Sequence, residues 1–283
     1  MKPLYTYTSH FMSSEIYYKN KRHKKQIPPG GRHGSGRTGR ILGMIEKLNS
    51  ILIHHKYKAG IFLLLTAASV ICLILVLARV AYSNSYGYTS LIANLLLAWI
   101  PFVLAYLAYI LSWRRGLMIL VIPTFAILWL IFFPNAPYIL TDLQHLGQAS
   151  TSASVWASAN VPLWYDVILL IWFSWTGMLL GIVSLNLMQE IIRREFGRWF
   201  GWLFVFIVAG LSSAGIYVGR FIRLNSWDIL QDPTHTASNL WDWLSDPSLR
   251  SFGFIGLYTL FFIFVYLTIY AFGHLQQEQT GKS

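Results

Sequence analysis

Six long apolar runs leave this chain little choice of solvent. They cover roughly 59–82, 90–111, 117–133, 163–187, 199–219 and 252–273. About 17 to 25 predominantly apolar residues carry a helix across a bilayer. Lipid offers no hydrogen bonds, so backbone groups must be satisfied within the segment, and apolar spans of this length are helices. Composition points the same way. Only 12% of residues are charged, about half the share in soluble domains, and a soluble protein so poor in charge would expose large apolar patches. The expected fold is all-α: a polytopic membrane bundle of about six transmembrane helices, with short amphipathic helices on the outer face. Pro101 and Pro123 are expected to kink the second and third spans.

Charge divides the chain into regions. Residues 1–58 form a basic leader, "NKRHKKQIPPGGRHGSGRTGR" at its centre, too polar and too rich in Gly and Pro to bury a core. It reads as an unstructured cytoplasmic segment before an uncleaved anchor, and Met44 is an alternative start to Met1. Residues 59–274 are the transmembrane domain and 275–283 a short tail. The net charge of +11 suits anionic lipid headgroups near the leader. It is not read as nucleic-acid binding, since no such motif accompanies it. The partner expected is the bilayer itself, and a protein partner is left open.

Lys and Arg concentrate in 1–58, "WRRG" (113–116), "QEIIRREFGR" (189–198) and the tail. These segments share one side of a six-span topology. The excess of basic residues is expected to place that side, with both termini, in the cytoplasm, the spans crossing the plasma membrane. All six Asp then fall on the outer side and all five Glu on the inner. The lone cysteine, Cys72, excludes an intramolecular disulfide and any zinc site built from Cys pairs. Two stripes of small residues, Ser174, Gly177, Gly181 and Ser184, then Ser212, Gly215 and Gly219, are expected to face neighbouring helices.

Three polar stretches carry the candidate chemistry. In "FFPNAPYILTDLQHL" (132–146), Asn135 is expected to cap a short helix on the outer rim. Its polar face joins Tyr138, Thr141, Asp142 and His145 by three-and-four spacing. In "NVPLWYDVILL" (160–170), Trp164 lies at headgroup depth and Asp166 about one turn inside the span, where a carboxylate usually has a partner. In "GRFIRLNSWDIL" (219–230), Arg220 and Arg223 end the fifth span and Asp228 follows. Arg220 is expected to pair with Asp166 or Asp142, or to hold an anionic headgroup. A loop with Asp232, His235, Asp242 and Asp246 suggests a second surface helix. Topology brings all these stretches to one face of the membrane, and one shared pocket is expected there.

The candidate catalytic groups are Asp142, His145 and Asp166. The candidate substrate-binding groups are Asn135, Tyr138, Thr141, Trp164, Arg220, Arg223 and Asp228. Asp142, His145, Asp166 and Asp228 suit a divalent metal or an acid–base pair, and the sequence does not decide between them. It names no cofactor.

The three motifs resemble those of the DUF1361 family of bacterial integral membrane proteins, over about residues 60–273. The resemblance implies a multi-pass membrane protein with no established activity. It marks Asn135, Pro137, Tyr138, Thr141, Asp142, His145, Pro162, Trp164, Asp166, Gly219 and Arg220 as key positions. Three functions compete: an outward-facing site that binds or processes a lipid-linked or polar-headed envelope substrate, a transporter of a small solute, and a scaffold subunit of a membrane complex.

Overall fold

The computed structural model describes residues 38–112, 121–149, 161–223, 231–246 and 248–280, with side chains over 60–112, 123–147, 161–223, 231–246 and 248–273. Among them there are helices and no strand. The chain divides into two compact units, one of Leu65–Val265 and one of Met1–Leu64 with Tyr266–Ser283. The described part of the second unit is the beginning of the first helix and the end of the last.

In chain order the α-helices are α1 (Thr38–Ser83), α2 (Ser90–Leu111), α3 (Val121–Phe132), α4 (Asn135–Tyr138), α5 (His145–Ala149), α6 (Leu163–Phe196), α7 (Arg198–Tyr217), α8 (Pro233–Ser245) and α9 (Leu249–Thr280). A 3₁₀ turn over Ile139–Gln144 joins α4 to α5, and a π turn over Val218–Ile222 ends α7. Among the described residues, six stretches are long and apolar enough to cross a membrane: Gly60–Ser83, Gly87–Leu111, Pro123–Gly147, Leu163–Phe196, Arg198–Ile222 and Leu249–Gly273. This is the all-α, six-span architecture of a multi-pass membrane protein.

Three details differ from the sequence reading. The first helix begins at Thr38, inside the segment read as an unstructured leader. From Met44 to Ala59 that segment holds no Gly or Pro and repeats Ile and Leu at helical spacing. Residues 1–37 lie outside the described residues. The fourth helix continues past its apolar part to Phe196 and stops at Gly197, whose φ of 101° is readily adopted only by glycine. The third difference is the largest. The sequence reading ends the third span at 133 and lays 135–146 along the outer rim. In the structure the path runs from Val121 through a turn at 133–134 and further helical turns to Ala149, so that Pro123–Gly147 is long and apolar enough to be one span.

Helix α6 is the central element. Its apolar window is 61% buried, against 39% for those of the second and fifth stretches. It packs on α2, on α7 and on the broken half of the third span. The core joins Cys72 and Val76 of α1, Leu91, Leu95 and Phe102 of α2, Ala136 and Ile139 of the broken segment, and Leu169, Phe173 and Leu180 of α6.

The small-residue stripe of α6 seats the broken segment. A Cβ added at Gly177 would lie 2.6 Å from the Ala136 carbonyl oxygen, and one at Gly181 would lie 3.4 Å from the Pro137 ring. Ser174 Oγ donates to the Ile139 carbonyl (3.3 Å). Ser184 Oγ donates to the Pro101 carbonyl (3.0 Å) and accepts from Trp129 Nε1 (2.6 Å). On α7, a Cβ at Gly215 would meet Pro134 Cγ at 2.8 Å. Small side chains thus admit a proline-bearing backbone between two helices, which larger ones would hold off.

Candidate functional site

The site is built on the break in the third span. Pro134 and Pro137 have no N–H to give, so the α-helical ladder fails at each. Phe133 N still reaches Trp129 O (2.7 Å), but Ala136 N turns to Phe133 O (3.2 Å). The chain then tightens into the 3₁₀ turn. Such a break strands carbonyls, which in a membrane must be satisfied by the protein.

Side chains meet that need one by one. Asn135 Nδ2 donates to Phe132 O (3.0 Å) and Thr141 Oγ1 to Tyr138 O (2.7 Å). Tyr258 Oη of α9 donates to Pro137 O (2.5 Å), and Arg220 Nη2 to Thr141 O (2.9 Å). Asn135 is therefore not the helix cap that its position in the sequence suggests; it satisfies a carbonyl that the break leaves over.

A 3₁₀ turn has three residues per turn, so its side chains fall on three faces. Leu140 and Leu143 point to an apolar crevice shared with Ile171, Trp175 and Phe261. Asp142 and His145 occupy a second face, and Tyr138, Thr141 and Gln144 a third. Arg220 spans the two polar faces. Its Nη1 donates to Tyr138 Oη (3.0 Å) and to Asp142 Oδ1 (3.0 Å). Its Nη2 reaches His145 Nε2 (3.3 Å), and the Gln144 amide lies beside the guanidinium, where swapping its O and N gives Nε an acceptor at 2.7 Å and Nη2 one at 2.5 Å. Asn94 Nδ2 of α2 completes Asp142 by donating to Oδ2 (2.8 Å).

The guanidinium and carboxylate are 10% and 2% exposed. A pair so buried persists only when its hydrogen-bonding groups are satisfied, as they are here. The π turn sets the geometry from the other side. It contains Gly219 and Arg220 and is followed by Arg223 in the left-handed region (φ 64°). Such bulges recur where a helix must re-aim a side chain.

Asp166 does not belong to this cluster. Arg79 Nε and Nη2 clamp its two oxygens at 2.6 and 3.1 Å, Tyr88 Oη adds a longer contact (3.4 Å), and the guanidinium lies 3.9 Å from the Tyr88 ring centre. The single pocket expected from the sequence is thus two ion pairs. The reason is rotational: Arg79, one turn from the end of α1, faces Asp166, whereas Arg220 faces the third span.

Trp164 is exposed and packs edge-on against Tyr165. Arg223 is exposed, and Asp228 lies outside the described residues. Asp232 caps α8. The His235 backbone N–H and the Thr234 hydroxyl bond its carboxylate and hold its pKa below the usual carboxylate range. His235 is exposed, and Nδ1 lies 3.2 Å from Asn239. Among the described residues, no three His, Cys, Asp or Glu side chains gather as a metal-ligand set. Sequence reasoning missed Arg79, Asn94, Gln144 and Tyr258 as participants. Asn94 and Arg79 were visible as polar residues inside apolar runs, and that is the signal that marks them.

Residues 93–267, more than half of the chain, match the family model described as "Protein of unknown function (DUF1361)". The chain belongs to the DUF1361 family. The match takes in Asn94, the whole broken segment, Asp166, Arg220 and Tyr258, while Arg79 and Tyr88 precede it. No curated protein and no solved structure matches the chain.

Proposed function

We propose that this DUF1361 protein sits in the bacterial plasma membrane with both termini cytoplasmic. On this reading it holds the polar head of an envelope amphiphile, a lipid or a lipid-linked molecule, at the outward end of its bundle. The observation that carries the reading is Arg220: a buried guanidinium, aimed by a π turn at a deliberately broken span, with Asp142 and His145 beside it. Irregular backbone inside a membrane is tolerated where protein shields it, and it is where binding sites of membrane proteins are commonly built. The apolar crevice along Leu140 and Leu143 lies on the same 3₁₀ turn and suits part of an acyl or isoprenoid chain. Arg220 is the anion-recognising group, and Tyr138, Thr141 and Asn135 hold the segment that presents it. Asp142 and His145 are the groups placed for proton transfer, while Asp166 serves the bundle through Arg79.

The test removes both charges together. Replacing one partner strands a buried charge, so loss of protein from the membrane would say nothing about binding. The double variant D142N/R220Q removes both charges together, so that neither is left buried without its partner. Native mass spectrometry of the purified protein is expected to show an anionic amphiphile retained by the wild type and lost from the double variant, with the two melting alike. Equal retention would remove the reading. The broken third span also favours a second reading, a transporter, because transporters place substrate sites on discontinuous helices. Solute flux in liposomes that survives the double substitution would favour it.

A further inference from the structure

The apolar crevice beside the broken segment has a floor, two rims and a lip. Ser174 and Met178 of α6 and Val265 of α9 are buried and form the floor. Ile171 and Trp175 of α6 and Phe261 of α9 are exposed and form the rims, and Leu140 and Leu143 of the 3₁₀ turn form the lip. The one hydroxyl in the floor, Ser174 Oγ, is engaged with the Ile139 carbonyl. We propose that this crevice seats one long acyl tail of a membrane lipid, and that it takes the distal part of that tail. This names the tail of the amphiphile in the reading above and rests on that reading for the head.

Shape selects the occupant. Ile171, Ser174, Trp175 and Met178 share one face of α6 by three-and-four spacing. The crevice therefore follows the helix for two turns, about 10 Å at 1.5 Å per residue. Spans stand within a modest tilt of the membrane normal, and lipid tails lie along the same direction. The rims are large side chains, whereas close approach of another helix needs small ones. The cavity volume is about 100 Å³, only a few times the roughly 30 Å³ of a water molecule in the liquid. A thin unbranched chain suits such a slot, and a helix or a chain with regular methyl branches is held off. The exposed rims belong to two of the six apolar stretches, so a tail enters from the side without leaving hydrocarbon. Met178 supplies a flexible side chain that adapts to such a guest.

Depth decides which part of the tail is held. Leu163 begins the fourth stretch at the end of the bundle where Arg220 closes the fifth. Along α6, Ile171 lies about 12 Å from Leu163 and Met178 about 22 Å. Phe261 is the middle residue of Leu249–Gly273. Half of the hydrocarbon core of a bilayer is about 15 Å. The crevice thus straddles the midplane, and a tail whose head lies near Arg220 reaches it with its last carbons.

The probe is phosphatidylcholine carrying one photoactivatable diazirine, placed either at the tip of a tail or beside its ester, with full-length protein in nanodiscs. Labelled residues are read by peptide mass spectrometry. The tip probe is expected to label the crevice residues, and that label to saturate as the probe fraction rises. Leu257, Leu260 and Phe264, exposed on α9, report ordinary boundary lipid, and their label is expected to rise in proportion. The ester probe is expected to miss the crevice. I171W, at an exposed rim, and L143W, at the lip, are expected to remove the saturable label, and L257W to keep it. Unlabelled diphytanoyl lipid is expected to displace the tip probe at least about tenfold less well than straight-chain lipid, the discrimination that one extra carbon gives in an apolar pocket. Crevice label that only rises in proportion, or that survives both I171W and L143W, overturns the seat. Crevice label from the ester probe overturns the depth assignment. Equal displacement by the branched lipid overturns the choice of an acyl tail. Phosphatidylcholine has no net charge, so none of these outcomes depends on Arg220. Loss of the seat leaves the charged-head reading to its own test with D142N/R220Q, and failure of that test leaves the seat.

Discussion

Two arginines inside the bundle do different work because of what surrounds them. Arg79 is held by both oxygens of Asp166 and by the face of Tyr88, with its side chain 0% exposed and that of Asp166 6% exposed. Both oxygens of Asp166 are engaged by Arg79, and the pair fastens α1 to α6. Removing either partner strands a buried charge, which costs about 3–5 kcal/mol. R79A is therefore expected to lower the thermal midpoint steeply in detergent. R223A, at an exposed site, should change stability by no more than about 0.5 kcal/mol. Equal effects would mean that the Arg79 clamp holds nothing. At this scale the sequence was informative about height along a helix and silent about rotation. Three-and-four spacing put Tyr138, Thr141, Asp142 and His145 together, and all four meet Arg220. Asp166 lay at a similar level but faces another helix, and a one-dimensional pattern cannot distinguish the two.

At the scale of the element, the third span shows what punctuation means in lipid. Two prolines, an asparagine and an aspartate end a helix in water. Here they do not, because α6, the π turn after α7 and α9 bring donors to carbonyls of the irregular stretch. The stop signals were legible, but the neighbours that override them come from far along the chain. The fit depends on the missing side chain at Gly177. G177A would place a methyl group 2.6 Å from the Ala136 carbonyl oxygen. Such overpacking costs about 1–3 kcal/mol, and the break would have to shift. G210A meets nothing within 4 Å and is expected to be neutral or to stabilise its helix by about 0.5–1 kcal/mol. Parallel melting curves of the two variants decide whether close approach, rather than helix propensity, is what the α6 glycine provides. Equal curves would refute it.

At the scale of the whole molecule, the number of spans and the apolar character of each were plain in composition and run length, since lipid imposes both. A six-span count makes the ends of the chain share a side, and the proposed orientation, drawn from the basic loops, puts that side in the cytoplasm. Cysteine labelling tests this directly on a background in which Cys72, buried beside Thr176, is replaced by serine. A cysteine at exposed Trp241 is expected to react with an impermeant reagent from outside intact cells, and one at Ser283 only after the membrane is opened. The reverse pattern would invert the topology and the outward site with it. The dispersed ownership of the donors has one more consequence. Ribosomes deliver the third span well before Ser174, Arg220 and Tyr258 exist. The newborn segment must therefore wait, half-finished, until the helix that carries Tyr258 has emerged.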